Sequence, residues 1–226
     1  METLLVKRVV RPVSLGRISW DAALTMQQEA AAQAAAGGPE TLFLLEHEPV
    51  FTLGRNATRA DILFTLERCA DLGIAVRETD RGGKVTYHGP GQLVGYPILN
   101  LSPDRRDVKR YVTDLEQVLI RALADFGIRA TRSDLRERVT SVWVGNEKIA
   151  AIGVHISRWV TTHGFAVNVT NEPLGNFLGI VPCGITDGGV TTMERTLGRA
   201  PALDAIGARL LARFAEVFDR EIMAAS

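Results

Sequence analysis

The spacing of apolar residues changes several times along the chain, and each change marks an element. Residues 4–10 form a short strand-like run, after which Ser19 stands as N-cap to an alanine-rich helix over residues 20–36 that Gly37, Gly38 and Pro39 bring to a stop. Residues 41–47 (TLFLLEH) are a short apolar run between Pro39 and Pro49, which reads as a central strand. A short helix from a Thr65 cap to Gly73 leads into a strand at residues 75–78, a five-residue run at 84–88 follows two glycines, and residues 93–99 add a further strand. Over residues 107–126, Val108, Tyr111, Val112, Leu115, Leu119, Ala122, Leu123 and Phe126 recur at steps of three and four, so this segment is an amphipathic helix whose apolar face is core. Residues 141–144 and 148–156 pair as a hairpin, residues 164–169 lie beside them, and a loop-rich passage precedes a terminal amphipathic helix over residues 202–223. Strands cluster in this order without regular alternation with helices. That predicts an α+β fold, a mixed β-sheet flanked by helices, built as a single domain over residues 1–226.

Composition narrows the partners. The 26 basic and 26 acidic residues cancel, so no global field holds nucleic acid or an anionic membrane, and a charged partner must be met by a local patch. Arg105, Arg106, Lys109 and Arg110, or Arg55 and Arg59, are the candidate clusters; an ordinary solvated surface explains them equally well. No apolar run approaches the roughly 20 residues that cross a bilayer, and the N-terminus has no secretory pattern. With only Cys69 and Cys183, far apart, a cytoplasmic location with free thiols is expected.

Two segments carry more glycine and alanine than strands need. In RGGKVTYHGPGQ (residues 81–92) and the positions after it, Gly82, Gly83, Gly89, Gly91 and Gly95 crowd together; in KIAAIGV (residues 148–154) small side chains interrupt a strand. Small residues leave room for a packed helix or for a ligand, and two such segments together point to a cleft with an elongated apolar slot. Cys183, between Pro182 and Gly184, lies on a turn where a nucleophile is accessible, whereas Cys69 falls on a helix and reads as a buried, inert thiol. A reactive cysteine needs a cation or base beside it, and Lys148, His88, His155 and His163 are the candidates. Strand alternation puts Lys148, Ala150 and Ile152 on one face and Ile149, Ala151 and Gly153 on the other, with Lys148 at the mouth of the strand. A lysine there is most often a solvated gatekeeper, but one set against an apolar slot exchanges a proton near neutrality. His88 and His163 lie in glycine-flanked regions suited to a substrate carbonyl or a water; His155 faces solvent or makes a structural bond. Neither CxxC nor HExxH occurs, and neither GxGxxG nor GxxxxGK[ST], so no metal and no cofactor is expected, with a zinc site on Cys183, His88 and His163 as the residual alternative.

RGGKVTYHGPGQ, KIAAIGV, HGFAVNV and PCGI, in this order and preceded by LLEHEPVFTLGR, resemble the lipoyl(octanoyl) transferase family over residues 4 to about 195. The resemblance implies a biotin/lipoate protein ligase-like fold. It also implies an enzyme that takes an octanoyl group from acyl carrier protein onto a cysteine and passes it to a lysine of lipoyl domains, those of 2-oxoacid dehydrogenase complexes and the glycine cleavage H protein. Carried over by motif, the acyl-thioester cysteine falls on Cys183 and the lysine that lowers its pKa on Lys148. The acyl-binding segments fall on Arg81, Gly82, Gly83, Lys84, Val85, Thr86, Tyr87 and His88, on Ala151, Ile152 and Gly153, and on Gly164, Phe165 and Ala166, with His163 adjoining. Lys84 and Thr162 depart from the family pattern at the pocket rim. An ATP-dependent lipoate or biotin ligase of the same fold, or an acyl-binding module without catalysis, remains the alternative.

Overall fold

A computed structural model describes residues 8–132, 140–181 and 189–224. In chain order these form β1 (Arg8–Ile18), α1 (Trp20–Ala35), β2 (Glu40–His47), β3 (Val50–Leu53), a 3₁₀ turn (Arg59–Asp61), α2 (Leu66–Asp71), β4 (Ala75–Glu78), β5 (Val85–His88), β6 (Gln92–Ile98) and α3 (Val108–Ala124). There follow β7 (Thr131–Arg132), β8 (Ser141–Val144), β9 (Glu147–Ser157), β10 (Val160–Asn168), α4 (Leu174–Phe177), β11 (Gly189–Val190), α5 (Met193–Leu197), α6 (Leu203–Phe218) and β12 (Arg220–Ile222). The α+β expectation holds: a large mixed sheet in the order β12-β1-β2-β6-β10-β9-β8-β7, with β11 added to β9, stands beside a small sheet in the order β4-β3-β5.

The apolar run at 41–47 is a strand covered on both faces, which explains its lack of alternation. From β2, Leu42 and Leu44 enter the core beneath α3 and α6 together with Leu115, Leu119 and Phe214. Phe43 and Leu45 enter the opposite core, where Ala23 and Ala30 of α1 pack. The alanines of α1 thus let a helix lie close against the sheet. The expected caps form: Ser19 Oγ accepts from the Ala22 N–H at 3.3 Å, and Thr65 Oγ1 from the Arg68 N–H at 3.1 Å. A third, Asp107 Oδ1, accepts from the Arg110 N–H at 2.9 Å and starts α3.

Several boundaries differ from those the spacing predicts, β10 among them, which starts at Val160 rather than at residue 164. β1 extends to Ile18, because a parallel partner, β2, pairs with it across Pro12. β3, immediately after Pro49, has no signature of its own in the sequence because its four residues make sense only as the centre of the small sheet, parallel to β4 and antiparallel to β5. The last helix stops at Phe218 rather than Met223: Asp219 turns left-handed with φ +51° and Arg220–Ile222 becomes β12, parallel to β1. Buried charge fixes that end, since Glu40 accepts from Arg220 Nε at 2.8 Å and from Arg8 Nη2 at 2.5 Å. Of the candidate basic cluster, Arg105 is buried, paired to Asp114 and stacked 4.9 Å from the Phe218 ring centroid, so the four residues do not form one exposed patch.

The small sheet faces the large one near β9 and β10, on the side where α1 packs against β2, β6 and β10. There the backbones of β6 and β10 pass so closely that a Cβ on Gly164 would lie 2.2 Å from the Gly95 carbonyl oxygen and 2.6 Å from Pro97 Cδ. Backbone cannot yield as a side chain can. Gly164→Ala is expected to lower stability by about 3 kcal/mol, read as a shift in the urea midpoint at unchanged slope.

Candidate active site

A cleft of about 310 Å³ opens between the two sheets. One wall is β9 and β10, where Ala151 pairs with Ala166 and Gly153 with Gly164, all four lining the cleft. The other wall is the glycine-rich strap before β5. Hydrogen bonds hold the strap from both sides: the N–H groups of Gly54, Arg55 and Asn56 donate to the carbonyls of Lys84, Arg81 and Gly83, and the Gly82 N–H donates to the Val154 carbonyl at 3.0 Å. Gly83 takes φ +89°, and a Cβ on Gly54 would stand 2.5 Å from its carbonyl oxygen, so the two glycines allow an approach that side chains would block. The Arg81 side chain runs beneath the strap and donates from Nη2 to the Thr52 carbonyl at 2.7 Å.

A β-bulge corrects the expected alternation along β9. Ser141 pairs with Ala151 and Val142 with Ala150, but Trp143 pairs with Lys148, leaving Ile149 as the extra residue. Ile149 and Ala150 therefore both enter the core, together with Ile152. Lys148 comes to line the cleft together with Ala151 and Gly153, whereas Ala150, its expected face-mate, does not. Its Nζ lies 5.5 Å from the Trp143 ring centroid, and its backbone sits between β8 on one side and β11 on the other, in register with Val190.

The cleft gathers most of the residues singled out from the sequence: Arg81, Gly82, Gly83, Lys84, Val85, Thr86, His88, Lys148, Ala151, Ile152, Gly153, His163, Gly164, Phe165 and Ala166 all line it. Tyr87 does not; strand alternation turns it into the small-sheet core, its ring against Phe51 and Phe177 and its hydroxyl accepting from Asn176 Nδ2 at 2.8 Å. Cys183 lies outside the described residues. Ile180 and Val190, on either side of that segment, both line the cleft. Cys69 is buried in α2.

Polar residues absent from the sequence reading order this wall. Gln92 Nε2 donates to the Tyr87 carbonyl and to Asn168 Oδ1, so its Oε1 is the acceptor for His88 Nδ1 at 2.6 Å, which leaves His88 Nε2 as the unprotonated nitrogen. Asn168 Nδ2 continues the chain to the Thr191 carbonyl at 3.1 Å, one residue past β11. His47 donates from Nδ1 to the Ile18 carbonyl and accepts the Tyr96 hydroxyl at 2.6 Å. Single polar residues within apolar strands were the only signal these contacts left in the sequence. Burial is the main cause that lowers the pKa of His88 to about 3 and of His47 to about 4; burial also lowers His163 and raises Tyr96. The His47 and His88 imidazoles are therefore polar in contacts and uncharged near neutrality.

A large mixed sheet flanked by helices, with a small three-stranded sheet beside it, is the fold class of the lipoate and biotin protein ligases. The structure matches lipoate-protein ligase A bound with ATP at a TM-score of 0.77 and 14% identity, over 97% of this chain and 89% of that one. It matches the biotin protein ligase of Aquifex aeolicus in complex with biotin and ATP at 0.57 and 15%, over 92% and 70%. The family model "Lipoyl protein ligase A/B catalytic domain" fits residues 20–215. A curated relative from Solibacter usitatus, named octanoyltransferase, is 50% identical over 92% of this chain and 93% of its own. The chain belongs to the octanoyltransferases within the lipoyl protein ligase A/B family.

The buried imidazoles carry a pH prediction. Their folded pKa values lie below the ordinary 6.5, so as pH falls past 6.5 the unfolded chain takes up protons that the native chain refuses. Stability is then lost progressively toward pH 4, at about 1.4 kcal/mol per pH unit for each group. Urea midpoints measured from pH 7 to pH 5 are expected to fall, and the double substitution His47→Gln/His88→Gln to flatten that dependence. An equally steep fall in the double variant would assign the loss to other groups.

Proposed function

We propose that this enzyme moves an octanoyl or lipoyl group from acyl carrier protein, through a thioester on Cys183, to a lysine of lipoyl domains in 2-oxoacid dehydrogenase complexes and the glycine cleavage H protein. The reading treats residues 1–226 as one catalytic domain working in the cytoplasm without a cofactor. The observation that carries it is the bulge at Ile149, which turns Lys148 onto the same side as the small residues Ala151 and Gly153 and sets it beside Val190, seven residues after Cys183.

In the first half-reaction, the Lys148 amine in its neutral form takes the Cys183 thiol proton and the thiolate adds to the carbonyl of the donor thioester. The carrier's thiolate leaves and regains a proton from the Lys148 ammonium. One C–S bond replaces another, so the exchange is close to balanced in free energy. In the second half-reaction the acceptor's lysine amine attacks the Cys183 thioester, an amide forms, and the Cys183 sulfur leaves. Lys148 removes a proton from the attacking nitrogen and returns it to sulfur. The slot between strap and sheet receives the alkyl chain, and at about 0.8 kcal/mol per buried CH₂ the octanoyl tail contributes several kcal/mol of binding. Burial lowers the pKa of His88 and of His163, so neither imidazole adds a charge that would have to lose its hydration beside the alkyl chain.

Incubation with octanoyl carrier protein is expected to add one octanoyl group to the intact mass, labile to hydroxylamine and absent from Cys183→Ser. Transfer to a lipoyl domain that proceeds from free octanoate only when ATP is supplied would instead make the chain a ligase. Lys148→Ala is expected to slow acylation and transfer together by about 10²- to 10⁴-fold with an unchanged thermal midpoint; unaltered rates would remove Lys148 from the mechanism.

A further inference from the structure

Asp80, at the start of the strap, has no part in the chemistry above, yet its carboxylate holds two strands at once. Oδ1 accepts from His163 Nε2 at 2.8 Å, and Oδ2 lies 3.5 Å from His155 Nε2. His163 belongs to β10 and His155 to β9, at neighbouring rungs of the ladder: His163 pairs with Val154 and His155 with Thr162. The next residues along these strands, Gly153 and Gly164, are a cleft-lining pair. Two residues beyond Asp80, the Gly82 N–H meets the Val154 carbonyl.

His163 reaches this position in an unusual backbone state. It has φ +57° inside a strand, a left-handed conformation that a non-glycine residue keeps only when its surroundings impose it. The imposing contacts are its N–H donated to Oε1 of the buried Gln27 of α1 at 2.7 Å, and its side chain held by Asp80 and by Thr79 Oγ1 at 3.3 Å. The Asp80 side chain is 58% exposed while that of His163 is only 3% exposed, so Asp80 reaches in from the rim to give a buried ring N–H its acceptor, at a residue whose backbone is strained. What the contacts do is fix the distance between strap and sheet, which is the width of the slot.

We propose that Asp80 is a positioning residue of acyl transfer: through His163 and His155 it sets the strap across β9 and β10 at the spacing that grips an extended alkyl chain. The proposal rests on the reading of the cleft as the acyl slot. Its signature is chain-length discrimination, which does not depend on how much enzyme is folded. Each buried methylene is a factor of about four, so the wild-type chain is expected to use an octanoyl carrier thioester over a butyryl one by roughly two orders of magnitude in kcat/KM.

Asp80→Ala is expected to shrink that ratio about tenfold or more, mainly through KM for the longer donor, with butyryl transfer within about twofold of wild type. Asp80→Asn keeps an oxygen acceptor for His163 Nε2 and is expected to restore most of the ratio. Equal slowing of both donors in Asp80→Ala, or an unchanged ratio, overturns the proposal. Should Asp80→Ala not fold, His155→Gln serves in its place: a reduced ratio supports the two-strand grip, and an unchanged one overturns it. A wild-type chain that accepts acyl groups from neither donor would sink the transferase reading itself, whereas a wild-type preference that survives in Asp80→Ala sinks only the positioning role.

Discussion

The structure depends on one close approach, that of the strap at residues 81–84 to the edges of both sheets. On one side its carbonyls accept from the N–H groups of residues 54–56; on the other its Gly82 N–H reaches Val154. A short piece of chain without side chains at Gly82 and Gly83 thus spans a gap that would otherwise part the small sheet from the large one. Because the contacts are backbone hydrogen bonds in a partly buried place, each one left unmade would cost free energy out of proportion to its strength. The cleft is the space that remains when the sheets are held at this distance.

That constraint explains why the cleft wall combines small residues with hydrogen-bonded polar ones. Side chains at Gly153 or Gly164 would fill the slot or collide with the backbone behind it: a Cβ on Gly153 would lie 3.1 Å from Arg81 Cδ. Polar groups that line an enclosed space must find partners within the protein. The run from His88 through Gln92 and Asn168 to the Thr191 carbonyl does so, while joining β5, β6, β10 and the chain after β11. One network therefore satisfies the cleft wall and anchors the segment that returns toward Lys148.

The fold is shared with ligases whose structures contain ATP, and at 14–15% identity that likeness speaks to architecture alone. Within that architecture the cleft of this chain is shaped locally, by a bulge that re-aims one lysine, a left-handed histidine, and a glycine strap. None of the three alters the strand order. Each changes which atoms meet in the cleft.

Much was legible from residues alone where the physics is local. Caps at Ser19 and Thr65, the three-and-four spacing of α3 and the unbroken apolar run of β2 are one-dimensional patterns with direct structural causes, and the segments at 81–95 and 148–154 stand out as excess glycine and alanine, whereas 164–166 is marked only by its likeness to a family motif. Tertiary structure decided the rest, because the causes lie far apart in the chain. β3 and β12 exist only by pairing with strands remote in sequence, and Tyr87 faces away from its motif neighbours because β5 alternates. The side on which Lys148 emerges was set by one unpaired residue, Ile149, whose insertion reverses a period-two pattern that the sequence by itself reads without interruption. Composition and spacing determined which residues had to be small; only the meeting of two sheets determined what that smallness makes room for.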